Sequence, residues 1–396
     1  MLKRTKHFGV AVAILLLLCG PTLAQLDGNL DLRQRCERYG FGYEEYQVTT
    51  EDGYINTLMR IPYAPDNQGV SNKPPVYLIP DAATTAEIFT HLGPEDSPAF
   101  NLANQGFDVW LSNPRGSLHS QAHESHDPNL PESGYWDYDL VSYRLDYMAD
   151  ITTIKDSTNY QTVGVFAFYN GAISLSYAMA IEPEYFSNNV NVAALSAFIP
   201  TYAHSNALVF GMASYTRNIN NLLELNGVDA ISPDGLTFIH NTLCQFSPQL
   251  CSMIDGVTNG EANPFIEDTD GLRNRYLLDY GMFPPRLNNH ILQSAATGEV
   301  TYYDFGPGEN LETYGSEDPP PISYENTNNP VAMFIASEDL SYDHADDEWY
   351  ANLIGDNLVF YQYYDLSHYG FIIGDTQLYL PDLVEVLSQH ADQINS

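Results

Sequence analysis

Val163-Gly-Val-Phe-Ala-Phe-Tyr169-Asn-Gly-Ala172 is the stretch that decides the fold of this 396-residue chain. A short run of β-branched and aromatic residues leads into a turn that contains glycine, and the apolar residues up to position 181 predict a helix. A strand, a turn and a helix in this order form the context in which a G-x-S-x-G turn presents a nucleophilic serine. Here the turn reads Ala167-Phe-Tyr169-Asn-Gly171, so a tyrosine occupies the serine position.

Strand and helix patterns alternate on both sides of this stretch, which predicts an α/β fold with a mostly parallel central sheet flanked by helices. The Asp52-Gly53 turn predicts a hairpin within residues 44–61. Further predicted elements are strands at 75–80, 190–195 and 330–335, a strand that runs into a turn over 107–116 and an amphipathic helix at 140–153.

Between residues 199 and 329 strand patterns become rare, and helical runs, turns and acidic patches replace them. The segment ends in a connector with three consecutive prolines, Pro319 to Pro321. We interpret residues 199–329 as a mainly helical cap inserted into a sheet domain that comprises residues 25–198 and 330–396.

The first 24 residues resemble a secretory signal, with a basic start, about a dozen apolar residues and a Thr22-Leu-Ala24 cleavage site. The alternative is a membrane anchor, but the apolar run is short for a span, and no later segment is suitable. We therefore expect a secreted, extracellular protein without a membrane span.

The large excess of acidic residues in this chain excludes some classes of binding partner. Removing Lys3, Arg4 and Lys6 with the signal leaves 12 Lys and Arg against 51 Asp and Glu, a formal charge of −39. This charge argues against nucleic acid and anionic membranes as partners. We interpret the charge as a source of solubility, or alternatively as a means of binding a cation-rich partner or matrix.

Three cysteines remain after signal removal. Cys244 and Cys251 are close enough in sequence for a local disulfide in a secreted protein, and their spacing lacks the partners of a zinc site. Cys36 is then left as a buried free thiol or as an intermolecular bridge that would make an oligomer. We expect no metal and no cofactor.

Several motifs together resemble the acid lipase family of α/β-hydrolases, which includes gastric, lysosomal and insect lipases. They are the run from Tyr39 to Ile55, Arg60-Ile-Pro-Tyr63, Gly106-Phe-Asp-Val-Trp-Leu-Ser-Asn-Pro-Arg-Gly116 and Val300-Thr-Tyr-Tyr-Asp-Phe-Gly306. The resemblance covers nearly the whole chain after the signal. It implies the α/β-hydrolase fold with a cap, and a serine nucleophile assisted by a histidine and an aspartate.

The resemblance matches Asp339, in Ser337-Glu-Asp-Leu-Ser-Tyr-Asp343, to the aspartate of the triad and His368 to its histidine. The alternatives are a surface carboxylate for Asp339 and a structural histidine for His368. Tyr169 takes the nucleophile position, but its phenol is protonated at neutral pH and its oxygen lies too far from the backbone to attack where a serine does.

The oxyanion site departs from the family pattern as well. Where the family has His-Gly-Leu, this chain has Pro80-Asp81-Ala82. Backbone N–H groups of Ala82 and Asn170 remain available, but Asp81 places a carboxylate where negative charge must develop. We expect either that the turn at Tyr169 has relaxed or that its ring fills the former acyl site.

These departures favour a secreted, non-catalytic acid-lipase homologue that binds an apolar ligand such as a fatty acid, lipid or pigment. Two alternatives stay open. One is an acidic structural or storage protein of egg, cuticle, silk or gland, which the 29 tyrosines and the Tyr361-Gln-Tyr-Tyr364 cluster favour. The other is an active lipase or esterase with a non-standard nucleophile.

Overall fold

The strand that precedes Tyr169 lies in the middle of a nine-stranded sheet. The structure is a computed structural model that describes residues 30–82, 84–130, 133–204, 228–230, 281–339, 341 and 343–391. The strands are β1 Glu44–Thr49, β2 Tyr54–Ile61, β3 Pro75–Ile79, β4 Asp108–Asn113, β5 Ala122–His123, β6 Val163–Phe168, β7 Val190–Ser196, β8 Val331–Ala336 and β9 Leu358–Tyr364.

Strand order in the sheet is β1-β2-β4-β3-β6-β7-β8-β9, with the short β5 paired to β2. β1, β2 and β4 pair antiparallel, and every pairing from β4 through β3 to β9 is parallel. The Asp52-Gly53 turn joins β1 to β2, so the predicted hairpin is confirmed. The mostly parallel α/β architecture predicted from the sequence is confirmed too.

Helices cover the sheet, and their bounds follow chain order. They are α1 Leu32–Tyr39, α2 Gly93–Asp96, α3 Pro98–Asn104, α4 Tyr143–Thr158, α5 Asn170–Ile181, α6 Pro183–Asn189, α7 Pro285–Thr297, α8 Pro307–Tyr314, α9 Ala345–Ile354, α10 Gly370–Ile373 and α11 Leu380–His390. Short 3₁₀ turns occur at Pro65–Asn67, Ala86–Thr90, Tyr324–Asn326, Gly355–Asn357 and Thr376–Leu378.

The core has two layers, one on each face of the sheet, and β6 contributes to both. Val165 and Ala167 pack with residues of α4 and α5, whereas Phe166 and Phe168 pack with residues of α3 and α11. Successive strand residues point to opposite faces, and every residue of β6 is buried. A strand buried on both faces reads as a continuous apolar run, which is why this stretch was informative in the sequence.

The helix predicted at 140–153 begins later and ends later than expected. The main-chain amide of Val141 donates to the Asp139 carboxylate at 2.8 Å, and that of Ser142 donates to the Asp139 carbonyl, so these residues form a turn before α4. At the other end Asn159 adopts a left-handed conformation with φ 62° and caps the helix. Asparagine tolerates this conformation better than most residues do, so it stops the helix.

Strand β9 was not predicted, and it changes the interpretation of the tyrosine cluster. Tyr361 and Tyr363 lie on this edge strand with their hydroxyls 3.0 Å apart, and Tyr364 is buried against Phe334. Aromatic residues are enriched in strands. The sheet therefore accounts for the cluster, and the cluster no longer favours a structural or storage protein.

Strand β8 lies next to β7 in the sheet although the two are separated by residues 197–330 in the chain, and the cap at 199–329 stays a prediction. Helices α7 and α8 belong to the part of this segment that the structure describes. The predicted signal at 1–24 and the Cys244–Cys251 pair lie outside the described residues. Among the residues that the structure describes, no helix combines the length and apolarity that a membrane span requires.

A buried carboxyl group under the sheet makes stability depend on pH. Asp150 of α4 is 1% exposed and accepts hydrogen bonds from the hydroxyls of Tyr77, at 2.6 Å, and Ser112, at 3.2 Å. Burial raises the pKa of Asp150 to about 7, with a further contribution from the Asp146 charge. The unfolded chain therefore releases this proton at a lower pH than the folded protein does, and stability declines as the pH rises toward 7.

We expect Asp150→Asn to remove most of this decline, which amounts to as much as about 4 kcal/mol between pH 4 and pH 8. An asparagine keeps an acceptor for Tyr77 and carries no charge. The measurement is urea unfolding at a series of pH values. Asp156→Asn on the same helix is the matched control and should leave the profile as it is; an unchanged profile in Asp150→Asn would contradict the prediction.

Candidate functional site

The turn after β6 keeps the strained geometry of a nucleophile elbow. Tyr169 has φ 49° and ψ −116°, a conformation that costs about 1–3 kcal/mol for a non-glycine residue. Its main-chain amide donates to the Ser196 carbonyl of β7 at 3.0 Å, and its carbonyl accepts from Ile173 of α5 at 2.9 Å. Of the two expectations for this turn, relaxation is therefore wrong: the bonds to both neighbours hold the turn in place.

Gly171 is the last glycine of the G-x-S-x-G pattern, and the space around it explains why this turn retains it. A Cβ atom at this position would lie 2.3 Å from the Pro80 carbonyl oxygen and 2.8 Å from a methyl carbon of Ile79. Any larger residue would push α5 away from the end of β3. The glycine thus holds together the two segments that carry Tyr169 and Asp81.

The Tyr169 ring packs on His368 instead of extending into solvent. The two rings meet edge to face, with centroids 4.4 Å apart and planes at 87°. The half-buried tyrosine also contacts both layers of the core. Burial raises the pKa of Tyr169 well above its ordinary value, and the Tyr202, Asp81, Tyr369 and Asp339 groups add to this effect. The phenol is therefore neutral.

Asp339 and His368 are brought together as the sequence predicted. Asp339 follows β8 and His368 follows β9, and the imidazole Nδ1 lies 2.6 Å from Asp339 Oδ2. Both side chains are buried. Burial opposes ionisation of Asp339, but attraction to His368 and hydrogen bonds from His368 and Ser341 outweigh it and lower its pKa. The aspartate is therefore a carboxylate that orients the imidazole.

Ser341 is a member of this group that the sequence analysis did not single out. Its main-chain amide donates to Asp339 Oδ1 at 2.9 Å, its hydroxyl donates to the same oxygen, and that hydroxyl lies 3.2 Å from His368 Nδ1. Serine two residues after aspartate is typical of a local turn in which the carboxylate accepts from the chain. This spacing was visible in the sequence.

The residues matched to the oxyanion site also lie next to one another. Asn170 Nδ2 donates to Asp81 Oδ1 at 2.7 Å, which joins the end of β3 to the start of α5. Asp81 is 7% exposed and Ala82 is 4% exposed. The Asn170 amide oxygen is buried, and no hydrogen-bond partner for it occurs among the described residues. A carboxylate is thus held by the side chain of Asn170, the residue whose main-chain N–H was expected to face the site.

Cys36 of α1 is fully buried, and burial raises the pKa of its thiol to about 12. A thiol in this setting is unreactive, because the thiolate is the nucleophilic form. The structure favours the buried free thiol over the intermolecular bridge. Within the described ranges no group of three or more His, Cys, Asp or Glu residues is placed to hold a metal ion.

The comparisons with known proteins agree with the fold and with the sequence motifs. Residues 32–79 match the family described as a partial alpha/beta-hydrolase lipase region. The chain is 27% identical to Lipase 3 of Drosophila melanogaster, over 96% of this chain and 97% of that one. It is also 26% identical to human Lipase member K, over 93% of each chain.

The chain resembles acid-lipase-type α/β-hydrolases over nearly its whole length. A third relative of this type is the tear acid lipase-like protein of Mesocricetus auratus, 26% identical over 89% of this chain and 88% of that one. Among solved structures, a protein of Sulfolobus solfataricus proposed to be a lipase superimposes with a TM-score of 0.57. It is 13% identical, and the match covers 87% of this chain and 99% of the other. At this identity the similarity of structure speaks for the α/β-hydrolase fold alone.

Proposed function

We propose that this acid-lipase-type protein is non-catalytic and binds an apolar ligand such as a fatty acid, a lipid or a pigment. The observation that carries the proposal is the Tyr169 ring, which packs on His368 from a turn that still has the geometry of a nucleophile elbow. A neutral phenol replaces the serine hydroxyl that the His368–Asp339 pair would activate.

The oxyanion region supports the same proposal. In ester hydrolysis, negative charge develops on the carbonyl oxygen, and donors near the nucleophile stabilise it. In this protein the Asp81 carboxylate lies beside Asn170, at 2.7 Å from its side-chain nitrogen. A fixed negative charge there raises the energy of the transition state, so substitution of the nucleophile is not the only change that opposes catalysis.

Lipids are the proposed ligand class because the relatives are named as lipases and because Tyr169 belongs to a group of neighbouring aromatic rings. The ring centroid of Phe168 lies 6.5 Å from that of Tyr169 and 5.8 Å from that of Tyr369. We propose that Tyr169 forms the wall or the plug of a former acyl pocket. Secretion, with residues 1–24 as the signal, belongs to the same proposal.

Ligand binding is tested by secreting the full chain from a eukaryotic host and purifying it without detergent. Organic extraction and mass spectrometry should then recover one class of apolar molecule at close to one molecule per chain. Tyr169→Trp should reduce this amount, because a larger ring narrows the pocket. Tyr363→Trp, on the sheet edge, is the matched control; consistently empty protein would overturn ligand binding.

Absence of catalysis is tested separately with short- and long-chain esters and with a fluorophosphonate label. We expect neither turnover nor labelling of the purified protein above the uncatalysed rate. Ester turnover that His368→Ala abolishes would contradict the proposal and favour an enzyme with a non-standard nucleophile.

A further inference from the structure

A groove away from Tyr169 opens between residues 298–325 and helix α9. Its volume is about 640 Å³, within the range of small-molecule sites. The walls are mainly apolar and aromatic and are formed by Val300, Pro321, Ile322, Tyr324, Trp349 and Leu353. The candidate catalytic residues do not contribute to it.

The walls of this groove are fixed by hydrogen bonds between its segments. The amide of Ile322 donates to the Val300 carbonyl at 2.9 Å, so the proline-rich connector is paired with the strand-like segment beside it. Tyr324 is 1% exposed and its hydroxyl donates to the Pro200 carbonyl at 3.0 Å. Tyr324 therefore cannot turn out of the groove without breaking this bond.

One aromatic wall is open to solvent. Trp349 is 38% exposed, which makes it an unusually accessible large apolar residue, and its ring centroid lies 6.1 Å from that of Tyr324 with the planes at 65°. The accessible ring of this pair is that of Trp349, and the buried Tyr324 ring supports it from below. The negative face of an aromatic ring attracts cations, and tryptophan does so most strongly.

Both charged residues on the described lining of the groove are acidic. Glu299 and Glu325 lie on its lining, and both are exposed. No Lys or Arg follows Arg286 in the sequence, whereas 19 Asp and Glu residues do. Nearly all of the groove comes from this part of the chain, so no cationic side chain from it can neutralise the two carboxylates.

We infer that this groove binds an organic cation with an apolar body, such as an alkylammonium compound. The Trp349 ring and the aliphatic side chains would contact the apolar body, and the two carboxylates would attract the ammonium group. A fatty acid would be repelled here by Glu299 and Glu325. The inference therefore concerns a site and a ligand class different from those of the proposed function, and neither depends on the other.

The probe for the test is hexyltrimethylammonium, with hexanol and hexanesulfonate as the uncharged and anionic comparisons. Isothermal titration calorimetry with the full-length protein should show binding of the cation alone, at one site and more weakly at higher salt. Trp349→Ala should weaken binding about tenfold. Glu299→Gln and Glu325→Gln should each weaken it about threefold at low salt.

Glu385→Gln removes a carboxylate outside the groove and is the matched control, with no change in affinity expected. Tyr169→Ser should bind the cation as the unmodified protein does, which separates this groove from the candidate catalytic site. Trp349→Phe retains a ring and covers the case in which Trp349→Ala does not fold. Equal binding of hexanol, or unchanged affinity in the Trp349 variants, would overturn the inference.

Discussion

Tyr169→Ser combined with Asp81→Asn is expected to hydrolyse short-chain esters about a hundredfold faster than Tyr169→Ser alone. The turn at position 169 already has φ 49°, so a serine there would be presented as in an elbow. His368 Nδ1 already lies 2.6 Å from Asp339 Oδ2, so this pair would need no rearrangement. What Tyr169→Ser leaves unchanged is the Asp81 charge, which opposes the oxyanion.

Asparagine is the substitution of choice at position 81 because its side-chain oxygen can still accept the hydrogen bond from Asn170. The comparison therefore isolates the charge. Initial rates with a p-nitrophenyl ester, measured for both variants and the unmodified protein, provide the test. Tyr363→Ser, a tyrosine replacement on the sheet edge, should give no activity, and His368→Ala in the double variant should abolish it.

Two other results would contradict this account. If Tyr169→Ser alone reached the rate of the double variant, the Asp81 carboxylate would not impair the oxyanion site. If neither variant were active, the loss of catalysis would lie in residues beyond Tyr169 and Asp81. In the second case the proposal of a non-catalytic protein would stand, but its cause would be elsewhere.

The sequence was sufficient for the centre of the fold because β6 is apolar throughout and is followed by a turn with an obligatory glycine. Asp339 and His368 were matched to a catalytic pair through the resemblance to acid lipases, and not through strand patterns on both sides. Edge strand β9 was not predicted. Its alternating exposure is weak, and its tyrosines suggested a different interpretation.

The backbone conformation of the Tyr169 turn could not be predicted from the sequence, for a different reason. A bulky residue favours relaxation of a strained turn, and that consideration alone led to a wrong expectation. The bonds to Ser196 and Ile173 hold the turn, and both depend on the positions of β7 and α5. The direction of the ring likewise depends on His368, which is distant in sequence.

Replacing Arg115 by methionine is expected to destabilise the protein by about 3–5 kcal/mol at neutral pH. Arg115 is 1% exposed and donates to both Asp52 and Asp146, with shortest distances of 2.7 Å to each. Its guanidinium also lies 3.9 Å from the centre of the Tyr54 ring. It thereby joins the β1–β2 hairpin to α4, and its loss leaves Asp146 buried without a counter-charge.

The pH dependence of this loss distinguishes an unpaired charge from poor packing. Burial already raises the pKa of Asp146 even with Arg115 present, and without Arg115 that pKa rises further. A raised pKa favours the folded state at acidic pH and penalises it as the pH increases. Urea unfolding of Arg115→Met should therefore show a smaller loss of stability at pH 4 than at pH 7, and adding Asp146→Leu should recover part of the stability.

Arg33→Met is the control. It breaks an exposed ion pair with Glu45 and should change stability by less than about 0.5 kcal/mol. A deficit in Arg115→Met that is equal at both pH values would mean that lost packing, and not the unpaired carboxylate, causes it.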